Sequence, residues 1–174
     1  MKHVNKDLLG DLLELNKSPY NHCVTVLVSL MSAQQRRNFT IFIAEQVLPI
    51  FENKYPNDDR PRKAIKAAKK MSKLDSKENR RSVTRAASEA YDAAKSAEDL
   101  ADDAASFAAY ASAEAAYAAT SDRDLLKGFV HTSSNEAKAA AAYAADAVGT
   151  NPDAKLKMQE QLIREAARLL NEAA

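Results

Sequence analysis

Residues 76–120 are a long stretch of the chain that contains neither proline nor glycine. A single helix over this stretch would be about 65 Å long. A compact domain of 174 residues has a radius of gyration of only about 16 Å. We therefore expect two helices with a break between them. The letters "SAED" at 96–99 are typical of an N-terminal helix cap, so we predict the break there.

Alanine makes up a large part of the hydrophobic residues, which are 46% of the chain, and there are only 3 glycines and no tryptophan. Alanine is the best helix former, whereas tight hairpin turns would need more glycine. We therefore predict an all-α, single-domain bundle of roughly eight or nine helices, in which Ala-rich central helices pack tightly.

Capping residues place the helices of the N-terminal part. Residues 4–15 carry apolar side chains at helical spacing. Ser18 and Pro19 then open a second helix, and we favour helix over strand for residues 20–31 because a strand there would have no partner. The letters "SAQQ" at 32–35 match a capping box, which predicts the start of a third helix.

Helix ends in the later part of the chain are predicted from the same kinds of signal. They lie at Ser121, Ser133, Gly149 and "NPD" at 151–153. We expect residues 1–34 to form an N-terminal helical extension and residues 35–174 to form the Ala-rich domain.

A fixed corner between two helices is predicted from the letters "KYPNDDRPR". Tyr55 precedes Pro56 and is therefore biased away from the helical conformation. Asp59 or Arg60 is expected to cap the next helix, which carries Pro61 in its first turn. We predict that Tyr55, Pro56 and Pro61 are structural, since they end one helix and start the next.

Charge is balanced over the whole chain, with 25 Lys and Arg against 24 Asp and Glu, but it is separated along the sequence. Residues 54–85 contain twelve basic and four acidic residues, whereas residues 86–124 contain two basic and nine acidic ones. The basic segment could meet an acidic protein or a phosphate backbone. The predicted partner-binding residues are Asp59, Arg60, Arg62, Lys63, Lys66, Lys69 and Lys70.

Two structural alternatives to partner binding stay open for these charged residues. The basic and acidic segments could neutralise one another in the folded domain, or both could simply be solvated. At the corner, Asp59 and Arg62 could pair locally or cap helix ends. Under the binding hypothesis, Arg60 and Arg62 would instead make two-armed contacts to carboxylates of a partner.

The most biased segment places aromatic and acidic side chains along one ridge of a helix. Phe107, Tyr110, Glu114 and Tyr117 follow each other at alternating spacings of three and four. Alanines flank this ridge, and the letters "AKAAAAYAADAV" at 137–148 indicate a matching partner helix. We expect closely packed Ala-rich helices with the tyrosine hydroxyls at the rim of the interface.

Chemical motifs are absent from the sequence. The three histidines are scattered, and there is no phosphate loop, dinucleotide fingerprint or nucleophile elbow. We therefore predict no enzymatic activity, no metal and no cofactor. The single cysteine, Cys23, has no disulfide partner and favours a cytoplasmic location. No apolar run approaches the roughly twenty residues of a membrane span.

The letters "IAEQVLPIFENKYPNDDRPRKAIKAAK", followed by the Ala-rich helices and "HTSSNEAKAAAAYAADAV", resemble the Imm-5-like family of bacterial immunity proteins. The resemblance covers residues 37–174. It implies an all-helical cytoplasmic protein that binds and neutralises a toxin made by the same cell or its kin. The residues that match the family's corner are Tyr55, Pro56, Asp59, Arg60, Pro61 and Arg62.

The sequence therefore supports a non-enzymatic inhibitor that occludes a cognate bacterial toxin through charged helix faces. A nucleic-acid-associated protein that uses the basic 54–85 face is the alternative. A third hypothesis is a mobile-element inhibitor of a defence nuclease, such as an anti-CRISPR protein. All three could use the same surface, and they differ in whether the partner is a protein or a nucleic acid.

Overall fold

The computed structural model describes residues 20–120 and 133–172. These residues form seven α-helices and no strand, which confirms the predicted all-α class. The helices are α1 (Tyr20–Leu30), α2 (Ala33–Lys54), α3 (Arg60–Lys73), α4 (Lys77–Asp99), α5 (Asp103–Ala118), α6 (Ser133–Ala147) and α7 (Pro152–Glu172). The predicted count of eight or nine also included a helix at 4–15 and a cap at Ser121, which lie outside the described residues.

The predicted capping box between α1 and α2 is confirmed. The Oγ atom of Ser32 accepts a hydrogen bond of 3.3 Å from the backbone N–H of Gln35. The Gln35 side chain accepts one of 2.8 Å from the backbone N–H of Ser32. Two N–H groups that α2 would otherwise leave unpaired are thus satisfied.

The turn between α6 and α7 also forms where the sequence predicted it. Gly149 has a φ of 79° after the end of α6, a left-handed conformation that glycine adopts at little cost. The Asn151 side chain then accepts hydrogen bonds from the backbone N–H groups of Asp153 and Ala154. These contacts begin α7, as predicted from "NPD".

The break inside residues 76–120 exists, but the predicted position at 96–99 was wrong. The Ser96 hydroxyl donates 2.8 Å to the carbonyl of Asp92 within α4, so it is not free to cap a new helix. The chain turns at Ala101, whose φ is 56°. Asp102 is the actual cap of α5, since its side chain accepts from the backbone N–H of Ala105 at 3.3 Å.

Helix α5 lies at the centre of the bundle and packs against α2, α3, α4 and α6. Its neighbours meet it through alanines that are almost completely buried, such as Ala109 and Ala116 on α5, Ala90 on α4 and Ala140 on α6. Small side chains let helix axes approach toward the short end of the usual range of about 8–10 Å. The predicted close packing of Ala-rich helices is therefore present.

Larger apolar side chains complete the core on the side of α1, α2 and α7. The buried cluster includes Leu27 of α1, Phe39 and Phe51 of α2, and Leu162 of α7. Helix α1 contacts both α6 and α7, so it is part of the packed core. The predicted domain boundary at residue 34 stays a prediction. Among the described helices, none combines the length and the hydropathy that crossing a membrane requires.

Candidate partner-binding surface

The corner between α2 and α3 is held by Asp58 and Arg60. The Nε and Nη2 atoms of Arg60 lie 2.9 Å and 2.6 Å from Oδ1 and Oδ2 of Asp58. The same carboxylate accepts a bond of 3.1 Å from the backbone N–H of Arg60. The hydrogen bonds from Arg60 lower the pKa of Asp58, so the carboxyl stays ionised. This pair stands at the start of α3, where the sequence predicted Asp59 or Arg60 as the cap.

A second two-armed pair joins α3 to α2. The Nε and Nη2 atoms of Arg62 each lie 2.6 Å from one carboxylate oxygen of Glu52. Pro61, between the two arginines, is buried at the start of α3. The Tyr55 ring packs on the Phe51 ring with 5.1 Å between centroids. The structural role of Tyr55, Pro56 and Pro61 stays a prediction.

Asp59 occupies the cap position of α3 but makes no side-chain capping hydrogen bond. Its carboxylate lies 2.9 Å from Nζ of Lys63 instead. Arg60 and Arg62 are both engaged inside the molecule, so a two-armed contact to a partner would first have to break an existing pair. Their role in partner binding stays a prediction.

Helix α3 turns a basic face to solvent because its apolar residues, Ile65, Ala68 and Met71, are buried. On this face the Lys69 Nζ lies 2.5 Å from Glu45 of α2. Lys66 and Lys70 are exposed, and neither makes an ion pair within the described residues. They are one helical turn apart and so lie side by side.

A basic groove runs between α3 and α4 and has a volume of about 290 Å³. It is lined by Lys63, Lys66, Ala67, Lys70, Ser82, Arg85, Ala86 and Glu89. Four basic groups therefore face a single carboxylate. Arg85 belongs to the basic segment 54–85 but was not among the predicted binding residues. Its position beside α3 depends on how α3 and α4 pack together, which the sequence does not show.

The basic and acidic segments do meet in part. The Lys54 Nζ lies 3.2 Å from Asp102 at the start of α5. Arg60 also feels the charges of Asp92 and Glu89, which, after its hydrogen bonds to Asp58, help to raise its pKa. Neutralisation is thus concentrated around the corner, and the groove keeps an excess of positive charge.

The charged residues near the two ends of α4 are placed unfavourably for its helix dipole. Lys77 and Arg80 lie in the N-terminal part, where the dipole favours negative charge, although Glu78 is also there. Glu98 and Asp99 lie in the last turn, which contains no basic residue. Each such placement costs about 0.3–1 kcal/mol when the group is close to the helix end. Local rules are broken in this way mostly where charge serves another purpose.

An aromatic row, which we define as Tyr91, Tyr110, Tyr143 and Phe107, joins α4, α5 and α6. Tyr91 meets Tyr110 nearly edge-on, with 5.0 Å between ring centroids. Tyr110 stacks on Tyr143 at 5.2 Å, and Tyr143 stacks on Phe107 at 6.1 Å. The sequence placed Phe107 and Tyr110 on one ridge, but the rings from α4 and α6 could be added only from the fold.

Two carboxyl groups meet beside this row. Glu114 of α5 is largely buried and forms a side-chain hydrogen bond with Glu136, which is 4% exposed near the start of α6. Burial and the neighbouring carboxyl raise the pKa of Glu114 to about 9. The pair therefore keeps a proton at neutral pH. Across the described residues, no group of three His, Cys, Asp or Glu side chains is arranged to hold a metal ion.

Comparison with protein-family models matches residues 27–172 to the family described as Imm-5 like putative immunity protein. The match includes all of α2 to α7 and the end of α1. No curated protein and no solved structure matches the chain significantly.

Proposed function

Because the chain belongs to the Imm-5-like immunity protein family, we propose that it binds a toxin protein and neutralises it by occlusion, without catalysis. The encounter takes place in the cytoplasm, where a toxin made by the same cell or its kin would act. The basic groove between α3 and α4 is the proposed contact surface.

The observation that carries this choice of surface is that Lys66 and Lys70, which have no ion-pair partner among the described residues, lie beside Arg85. Most other basic groups of α3 already have carboxylate partners, namely Asp58, Glu52, Asp59 and Glu45. Charges without an internal partner gain most from a partner molecule. The groove therefore suits a toxin surface that presents Asp or Glu side chains, and such complementarity speeds association and excludes wrong partners.

Occlusion needs more area than the groove alone provides. A stable interface buries about 800 Å² on each protein. Helix α3 has 14 residues and is about 21 Å long. Its exposed face together with the first half of α4 offers a surface of the required length. Arg60 and Arg62 lie at one end of this surface and contribute by fixing the corner.

Nucleic acid is the alternative partner, and the composition of the groove favours it, since four basic groups face one carboxylate. A defence nuclease inhibited by a mobile-element protein is a variant of the protein hypothesis. Binding to a phosphate backbone weakens steeply with salt because counterions are released. Binding to a protein weakens less.

A pull-down with the tagged chain from its native host, with and without nuclease treatment, tests the proposal. The wild type is compared with Lys66→Glu/Lys70→Glu. A matched control, Lys157→Glu/Arg164→Glu, reverses two exposed charges on α7. We expect one protein that survives nuclease treatment, is lost with the α3 variant and is kept with the control. That protein is then expressed alone and with each variant.

Growth inhibition by the captured protein, relieved by the wild type and the control but not by the α3 variant, supports the proposal. If the retained material is mixed and sensitive to nuclease, the partner is nucleic acid and not a toxin. Equal capture by the α3 variant and the wild type would remove the groove from the interface while leaving the inhibitor hypothesis in place.

A further inference from the structure

The aromatic row and the basic groove lie on different sides of α4. Arg85 and Tyr91 are six positions apart, which separates them by about 120° around the helix. Arg85 faces α3, whereas Tyr91 contacts Tyr110 of α5. The row is therefore a second surface with its own environment.

Solvent reaches the central helix mainly along this row. After the first two residues of α5, the side chains that are not buried are Phe107, Tyr110, Glu114 and Tyr117. Tyr91 of α4 is 38% exposed. Exposed tyrosines are among the residues that most often dominate protein interfaces.

Carboxyl groups surround the rings. Glu98 accepts a hydrogen bond of 3.0 Å from the Tyr110 hydroxyl. Burial raises the pKa of Tyr117, and the Glu114–Glu136 pair and then Asp92 raise it further.

The row already binds one cation within the molecule. The Nζ atom of Lys95 lies 5.5 Å from the centroid of the Tyr91 ring, which is within the range of a cation–π contact. Lys95 is exposed, and its long side chain can leave the ring without disturbing the helix. The structure thus contains one example of a cation held on a ring of this row.

We propose that the aromatic row, with Glu98, is a second binding surface that accepts arginine or lysine side chains of a protein partner. Ring faces and carboxylates together suit a guanidinium group, which stacks on aromatic rings and donates to carboxylates. The excess of carboxylates disfavours the phosphates of nucleic acid. This surface goes beyond the proposed function, since it requires neither the basic groove nor a toxin.

Tyrosine fluorescence provides a direct probe, because the chain has 6 tyrosines and no tryptophan, and three of the tyrosines lie in the row. Hexa-arginine peptide is titrated against the wild type, Tyr91→Leu and Glu98→Gln. Glu98→Gln keeps the size of the side chain and removes its charge, whereas Tyr91→Leu keeps an apolar side chain and removes the ring. We expect saturable quenching, with the dissociation constant raised about two- to fivefold in each variant. Circular dichroism checks that the variants remain folded.

Glu160→Gln on α7 is the matched control, since it removes an exposed carboxylate far from the row in sequence. An unchanged dissociation constant in this variant supports the proposal. Equal weakening by Glu160→Gln and Glu98→Gln would mean unspecific attraction and would overturn it. Unaltered binding by Tyr91→Leu would also overturn it, as would a hexa-thymidine oligonucleotide that quenches the same tyrosines.

Discussion

Arg62 and Glu52 connect α3 to α2 through a two-armed ion pair in which both nitrogen–oxygen distances are 2.6 Å. The Arg62 side chain is nevertheless 63% exposed, and exposed pairs stabilise little because solvent screens them. We therefore expect this pair to fix the position of α3 against α2 while adding little to the free energy of unfolding. The same corner contains the Asp58–Arg60 pair, in which the arginine side chain is more buried.

Arg62→Ala is therefore expected to lower the free energy of unfolding by only about 0.5 kcal/mol. Urea denaturation of Arg62→Ala, Glu52→Gln and the double variant measures the coupling between the two residues. We expect the coupling to shrink when salt is raised to about 1 M, where the Debye length falls to about 3 Å. A loss above 2 kcal/mol would show that the corner depends on this pair for folding.

Ala101→Gly is expected to stabilise the protein. Ala101 has a φ of 56° in the turn that ends α4, where the N–H groups of Ala101 and Asp102 return to the carbonyls of Glu98 and Ala97. This is the helix-ending turn that glycine usually occupies. A left-handed alanine costs about 1–2 kcal/mol, part of which glycine loses again through its freer unfolded chain.

We expect a net gain of about 0.5–1 kcal/mol, measured as a higher melting temperature. Ala142→Gly, in the interior of α6, is the control, and it should instead cost about 1 kcal/mol. If both variants lose stability by similar amounts, the turn at Ala101 does not carry the strain that its φ indicates.

The sequence predicts best where a feature depends on neighbouring residues. The capping box at Ser32 and the corner at Pro61 follow from local chemistry, and both are present. The break between α4 and α5 was misplaced because Ser96 bonds within its own helix and the turn uses alanine instead of glycine. Nothing in the sequence marks Ala101 as left-handed.

Features that join distant helices could not be predicted. The sequence does not distinguish Asp58 from Asp59 as the partner of Arg60. Only the geometry of the corner selects Asp58. The aromatic row combines Tyr91, Tyr110 and Tyr143 from three helices. Its assembly depends on the rotation of each helix about its axis, which alanine-rich faces leave weakly specified in the sequence.

Ala116→Leu is expected to destabilise the bundle. Ala116 is completely buried where α5 meets α3 and α4, among Ala64, Ala87 and Ala90. A leucine there would push closely packed helices apart, which typically costs about 1–3 kcal/mol. For a chain of this size the melting temperature should fall by about 2–12 °C.

Ala142→Leu places the same side chain on a partly exposed position of α6. We expect this control to melt within about 2 °C of the wild type, since surface substitutions usually change stability by less than 0.5 kcal/mol. Equal melting temperatures for Ala116→Leu and the wild type would mean that the interface has room for three further carbon atoms.

The Glu114–Glu136 pair predicts that stability falls as pH rises. Burial first, and then the Glu136 carboxyl, raise the pKa of Glu114 to about 9 in the folded protein, against 4.5 for an ordinary glutamate. Between these two values the folded state holds a proton that the unfolded state has released. The unfolded state binds fewer protons there, so the free energy of unfolding decreases with pH and the loss is complete only above pH 9.

Glu114→Gln keeps the shape of the side chain and a hydrogen-bond donor but removes the titration. Melting temperatures between pH 7.5 and 9.5 should therefore fall less steeply for this variant than for the wild type, and at pH 9.5 the variant should be the more stable protein. Glu160→Gln, at an exposed position, should reproduce the slope of the wild type. Parallel slopes for all three proteins would mean that Glu114 is ionised in the folded state, because only a proton bound there can make the wild type differ from the glutamine variant.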